Sequence, residues 1–152
     1  MEKSTVLQKR HKMRIYLAHP HAQRGYGKTI QSILEEEGYK VINPFNRLEQ
    51  SSHDRIIKNN EQFSDEQCEK IVLSDLKNIE KADVVVAIWL GTNHMIGTPM
   101  EIVYAYNLAL PIYSLYLWPD TVSPWIQYHS NKVLRSENDL LFALEAEAAW
   151  HE

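Results

Sequence analysis

Cysteine is almost missing from this chain. Cys68 is the only one in 152 residues, which excludes an intramolecular disulfide and any metal site built on a cysteine cluster. No apolar run approaches the ~20 residues needed to span a bilayer. The opening MEKSTVLQKRHK lacks the apolar core of a signal peptide, so a cytoplasmic protein with no membrane partner is expected. Basic blocks are absent as well. With 16 Lys and Arg against 20 Asp and Glu, the net charge is −4 with histidines neutral, and nucleic acid is not an expected partner. No His-Glu-x-x-His spacing occurs: His19 and His21 are two apart, while His53 and His94 are isolated, so no metal is expected. Internal repeats and low-complexity tracts are not seen.

What is present reads as one α/β domain spanning residues 1–152, with residues 1–12 a loose polar arm. Hydrophobic residues make up 44% and charged residues 24%, the balance of an ordinary globular chain with enough apolar side chains for a substantial core. Arg14 to Ala18 (RIYLA) is short and β-prone, and Pro20, Gly25 and Gly27 punctuate the loop that follows. Lys28 to Glu37 carries Ile30, Ile33 and Leu34 on one helical face, with Gly38 as its stop. Tyr39 to Ile42 is a second strand. Phe45 to Phe63 is weakly patterned and predicts a long loop with a short helix around Asp54 to Asn59. Ser64 and Gln67 form a capping box that starts a helix running to Lys81. Asp83 to Trp89 is a nearly unbroken apolar run, the pattern of a parallel strand covered on both faces. Gly91 to Gly97 is a polar loop, and Ile112 to Leu117 is strand-like again. Trp118 to Asn131 reads as loop, Lys132 to Leu134 as a last short strand, and Glu137 to Ala149 as a closing helix. This alternation predicts a flavodoxin-like three-layer fold with a five-stranded parallel sheet in the order 2-1-3-4-5.

In that order the switch point lies between the first and third strands, where α/β proteins place their ligands. Tyr16, the His19–Lys28 loop and Glu101 are expected to meet there. Thr98, Pro99 and Glu101 fit the N-cap, N1 and N3 positions of a helix, so Glu101 has an alternative duty as the acid of a capping box. Its company suggests more. A carboxylate nucleophile needs a donor that orients it, which a tyrosine hydroxyl supplies, and a second carboxyl such as Asp75 can act as general acid.

The chain resembles the nucleoside 2-deoxyribosyltransferase family, including its branch of 2′-deoxynucleoside 5′-monophosphate N-hydrolases. The matching pieces are Ile15-Tyr16-Leu17-Ala18, Ser74-Asp75-Leu76, Ala82 to Ala87, Gly97-Thr98-Pro99-Met100-Glu101 with Ala105, and Leu110-Pro111-Ile112. They cover roughly residues 13 to 118 in order. The resemblance implies double displacement at the anomeric carbon without a cofactor. Glu101 matches the nucleophile, Tyr16 the tyrosine that holds it, and Asp75 the acid that protonates the departing base. Water then gives hydrolysis, and a second base gives transfer. Two positions depart from the family pattern: His19 stands where a glycine is expected, and Met95 stands near a position that carries an acidic residue or serine.

Further substrate contacts are expected from Gly97 and Thr98 in the matching segments, from His19 just after the first strand and from His94 in the loop. Arg24, Lys28 and the backbone around Gly25 are cationic or amide-rich candidates for a phosphate. Ser123 and Trp125 lie where family members lend residues to a neighbouring subunit, which makes a homodimer or higher homo-oligomer the expected assembly. The expected partner is otherwise a small nucleoside or nucleotide. Two other readings stand beside this one. The first is a non-catalytic nucleotide-binding module with Glu101 only a cap. The second is a small kinase, since Ala22 to Thr29 (AQRGYGKT) fits a relaxed phosphate loop.

Overall fold

Strand and helix alternate along the chain as the apolar pattern requires. The structure, a computed structural model, describes residues 13–46, 50–91 and 95–151. The expected arm over residues 1–12, and His94, lie outside the described residues. The elements are β1 (Arg14–Ala18), α1 (Arg24–Glu36), β2 (Lys40–Ile42), α2 (Gln50–Lys58), α3 (Asp65–Glu80), β3 (Val84–Trp89), α4 (Gly97–Asn107), β4 (Ile112–Tyr116), α5 (Pro124–His129), β5 (Lys132–Leu134) and α6 (Glu137–Ala148).

The five strands form one sheet in the order β2-β1-β3-β4-β5. Every pairing is parallel, with Ile15 opposite both Val41 and Val84, Val86 opposite Tyr113, and Ser114 opposite Val133. The predicted flavodoxin-like order is the observed one. Successive side chains of a strand point to opposite faces, so the sheet sorts its residues into two layers. Ile15, Leu17, Val86 and Leu115 pack with Ile30 and Leu34 of α1 and with Leu140 and Leu144 of α6. Tyr16, Ala18, Val85, Ala87 and Trp89 pack on the other face with Ile79 of α3 and with Ile102 and Ala105 of α4; Ile126 of α5 lies at the margin. All of β3 is buried, which is why its sequence is a continuous apolar run rather than an alternating one.

Local signals account for several boundaries. Gly38 takes φ 93° just past the end of α1, a conformation open to glycine at little strain. Ser64 Oγ accepts from Gln67 N at 3.2 Å while Gln67 Oε1 accepts from Ser64 N at 2.8 Å, so the predicted capping box of α3 is present.

Four expectations are corrected. The helix after β1 begins at Arg24, ahead of Lys28, and a 3-10 turn over His21–Gln23 leads into it. Gly25 and Gly27 are therefore helical, and most of Ala22 to Thr29 is helix rather than a loop wrapped round a phosphate, which removes the kinase reading. The segment from 50 to 58 is a regular helix beginning upstream of Asp54, and a 3-10 turn precedes it at Pro44–Asn46. Within the predicted loop from Trp118 to Asn131, Ser123 Oγ caps α5 by accepting from Trp125 N. The fourth concerns α4. Its first residue is Gly97, and its N-cap is Ile96, whose side chain makes no cap hydrogen bond. Pro99 tolerates this start because the first turn of a helix has no intrahelical use for its missing N–H. Thr98 Oγ1 is buried without a hydrogen-bond partner, so the predicted capping box of Thr98 and Glu101 does not form.

Candidate functional site

The carboxyl ends of β1 and β3, at the centre of the sheet, open beneath α3 and α4. Tyr16 comes from β1 and is fully buried in the layer those helices cover. Asp75 and Glu101 come from α3 and α4 and are both half-buried. The flank of α4 that bears Glu101 is fixed by Tyr104 one turn on, whose hydroxyl donates to Glu80 of α3. Residues three apart on a helix share a face, so Glu101 is turned toward the helix that carries Asp75. The Tyr16 hydroxyl, Asp75 Oδ1 and Glu101 Oε2 are all shielded from solvent. Glu101 Oε1 lies 3.6 Å from where a Cβ on Gly97 would sit, so the carboxylate bends back along the first turn of α4. In this position it lies by the N–H groups of the helix start, which favour negative charge.

The loop after β1 behaves differently from expectation. His19 is turned inward, with 2% of its surface exposed. Its Nδ1–H donates to Leu17 O at 2.9 Å, and Phe45 meets the ring edge-on with centroids 4.9 Å apart. Burial outweighs the hydrogen bond to Leu17 and pushes the imidazole pKa down to about 4, so the ring is neutral at neutral pH. A Cβ on Gly27 would lie 2.2 Å from His19 Nε2, so α1 can pass this close only because residue 27 is glycine. Gly25 is unlike it: nothing lies within 4 Å of where its Cβ would be. Lys28 is exposed one turn further along. Arg24 Nη1 donates to His21 O at 3.1 Å and contacts His21 Nδ1 at 3.3 Å. His21 Nε2 in turn lies 2.6 Å from Asp54 Oδ1 on α2. Sequence reasoning missed the parts played by His21 and Asp54, which are 33 residues apart with no periodic signal linking them.

Ser123 and Trp125 fall elsewhere. They line a cavity of about 470 Å³ on the opposite flank of α4, walled by Trp89, Ile102, Val103, Tyr116 and Trp118. Gly97 and Thr98 lie in the first turn of α4, beside Glu101. Among the described residues, no group of three or more His, Cys, Asp or Glu side chains is arranged to hold a metal.

The nucleoside 2-deoxyribosyltransferase family model matches residues 15–134. The chain belongs to the nucleoside 2-deoxyribosyltransferase family. The matched span runs from β1 to β5 and so takes in Tyr16, Asp75 and Glu101. Among solved structures, a 2-deoxyribosyltransferase from Bacillus psychrosaccharolyticus is similar at TM-score 0.68 and 22% identity, covering 87% of this chain and 95% of that one. A conserved protein from Enterococcus faecalis V583 is similar at TM-score 0.64 and 19% identity, over 89% of this chain and 98% of that one. A CMP N-glycosidase from Clostridium botulinum is similar at TM-score 0.54 and 22% identity, over 87% and 98%. At these identities the likenesses speak to the fold. No curated protein sequence matches the chain. No helix among the described residues is long and apolar enough to cross a membrane.

Proposed function

We propose that this member of the family cleaves the N-glycosidic bond of a 2′-deoxynucleoside or its 5′-monophosphate through a glutamyl-glycosyl intermediate on Glu101. The observation that carries the reading is that Tyr16 is fully buried in the layer covered by α3 and α4, while Asp75 Oδ1 on α3 and Glu101 Oε2 on α4 are both shielded from solvent. In the proposed reaction a Glu101 oxygen bonds to C1′ as the bond from C1′ to the base nitrogen breaks. Asp75, protonated, gives its proton to the departing base. The Tyr16 hydroxyl donates to the Glu101 carboxylate and orients it. In the second half, Asp75 takes a proton from water or from an incoming base as that nucleophile attacks C1′, and Glu101 leaves as carboxylate. Two displacements on one carbon retain its configuration. Family membership and the shared layer of Tyr16, α3 and α4 support this assignment of roles. Arg24, with the open backbone at Gly25, is the proposed contact for a 5′-phosphate, and Lys28 supplies further positive charge. His19 contributes by packing rather than by touching substrate, because its ring is closed off from solvent.

A homo-oligomer is proposed as well. Met100, Val103 and Tyr106 of α4 and Trp125 and Tyr128 of α5 are exposed apolar side chains around the aromatic cavity. Tyr113 and Tyr116 are core residues and offer no surface to such an interface. A monomer by light scattering at micromolar concentration would overturn this part.

The deciding experiment incubates the protein with a panel of 2′-deoxynucleosides and their 5′-monophosphates, with and without a second free base. Chromatography is expected to find released base from one substrate class. A new nucleoside in the presence of added base marks a transferase. No release across the panel from folded protein would return Glu101 to a structural role and leave a nucleotide-binding module.

A further inference from the structure

The side chains at the start of α1 are held by α2 through a relay of three residues. Arginine always donates, so the contact of Arg24 Nη1 with His21 Nδ1 at 3.3 Å requires an unprotonated Nδ1. The proton of neutral His21 then sits on Nε2 and is donated to Asp54 Oδ1 at 2.6 Å. Gln50 Nε2 donates to the same Asp54 oxygen at 2.8 Å. These bonds hold the Asp54 carboxyl below its ordinary range, the one from His21 contributing most. The rings above are fixed too: His53 stacks on His21 at 5.5 Å, and Phe45 meets His21 edge-on at 5.6 Å. Asp54 thereby selects the tautomer of His21, and that tautomer presents two acceptors, Nδ1 and the backbone carbonyl, to a single nitrogen of Arg24.

Among the described residues Arg24 is bonded through one guanidinium nitrogen, and its other N–H groups can serve a ligand. Gly25, the next residue, points to what that is. A methyl group there would meet nothing within 4 Å, and no positive φ demands glycine, yet glycine is a poor helix former. Backbone left bare beside a preset arginine suits close approach by an anion.

We propose that Asp54 is a positioning residue which, through His21, presets Arg24 to receive the 5′-phosphate of a nucleotide substrate. The proposal rests on the functional reading above only for the identity of the ligand. It makes the phosphorylated nucleoside, not the free nucleoside, the substrate class this chain favours.

The test is a pair of equilibrium titrations, with a 2′-deoxynucleoside 5′-monophosphate and with the same nucleoside lacking phosphate. Both use Glu101→Gln protein, so that the ligand is not consumed. Adding Asp54→Ala is expected to weaken the monophosphate roughly tenfold, the size of one charge-assisted hydrogen bond, and to leave the nucleoside unchanged. Asp54→Asn, which keeps an oxygen acceptor, should restore most of the loss. Nitrogen NMR of His21 should show the Nε2–H tautomer in the parent and a mixture in Asp54→Ala. Gly25→Ala, opposed by no neighbour, should show the same selective weakening and covers the case in which Asp54→Ala does not fold. Equal weakening of both ligands would mean that Asp54 merely anchors α2, and that sinks the proposal. So would unchanged monophosphate binding, or no monophosphate binding by the parent. Base release by the wild-type protein is scored separately. Its absence would remove the glycosidase reading while a phosphate-selective loss in Asp54→Ala still upheld the relay.

Discussion

Between pH 7 and 4.5, acidification should destabilise this protein chiefly through His19. The folded state holds its imidazole neutral: the ring is buried, its Nδ1–H is committed to Leu17 O, and its pKa is pushed down from 6.5 to about 4. An unfolded chain binds a proton there near pH 6.5, and the folded one does not. Between those values the unfolded state carries more protons, so stability falls as pH falls. The contribution is complete above pH 6.5 and is lost progressively down to about pH 4. At about 1.4 kcal/mol per unit, the loss over that window is about 3 kcal/mol, a large share of a typical domain's stability. Urea midpoints measured between pH 7 and pH 4.5 on wild type and on His19→Asn would read it. Asparagine keeps a donor for Leu17 O and removes the titration. The variant should follow a distinctly shallower course below pH 6.5, with the other histidines common to both proteins. Parallel curves would refute the reasoning, because they would put the acid sensitivity somewhere other than His19.

The close approach at Gly27 gives a second test. Gly27→Ala drives a methyl group to 2.2 Å from His19 Nε2, and a ring held by Leu17 cannot easily give way, so a loss of about 1–3 kcal/mol is expected. Combining it with His19→Ala should recover part of that loss in urea unfolding. Ser64→Ala removes one half of the capping box of α3 and should cost about 1 kcal/mol, read as a lowered midpoint with unchanged slope. Glu101→Gln keeps the shape of the side chain and removes only its charge at the start of α4, so it should cost less than about 1 kcal/mol. Its base release should fall by roughly three orders of magnitude or more. A stability loss near 1 kcal/mol with activity kept would instead mark Glu101 as a cap.

Much of the fold was legible because local pattern and burial agree in it. β3 reads as a double-covered strand since all six of its residues are buried, and the box of Ser64 and Gln67 is a local device that works wherever the helix packs. The errors fell where local signals conflict with packing. Gly25 and Gly27 read as loop punctuation, yet Gly27 serves contact with His19 inside a helix. Thr98 and Glu101 have the spacing of a capping box, but the helix starts at Gly97 and buries the threonine instead. Trp118 to Asn131 lacks a sustained period, and the short helix α5 forms there on the cap from Ser123.

The sequence by itself determined the alternation of strands and helices, from which the strand order was expected, and the family, because these rest on periodicity or on short motifs each read within one element. Which flank of α4 bears Glu101, the inward turn of His19 and the linkage of Asp54 to Arg24 were decided by tertiary structure alone. Each joins residues far apart in the chain, such as Tyr104 with Glu80 or His21 with Asp54, and a contact of that kind leaves no period in the sequence. It exists only once the sheet has brought its helices together.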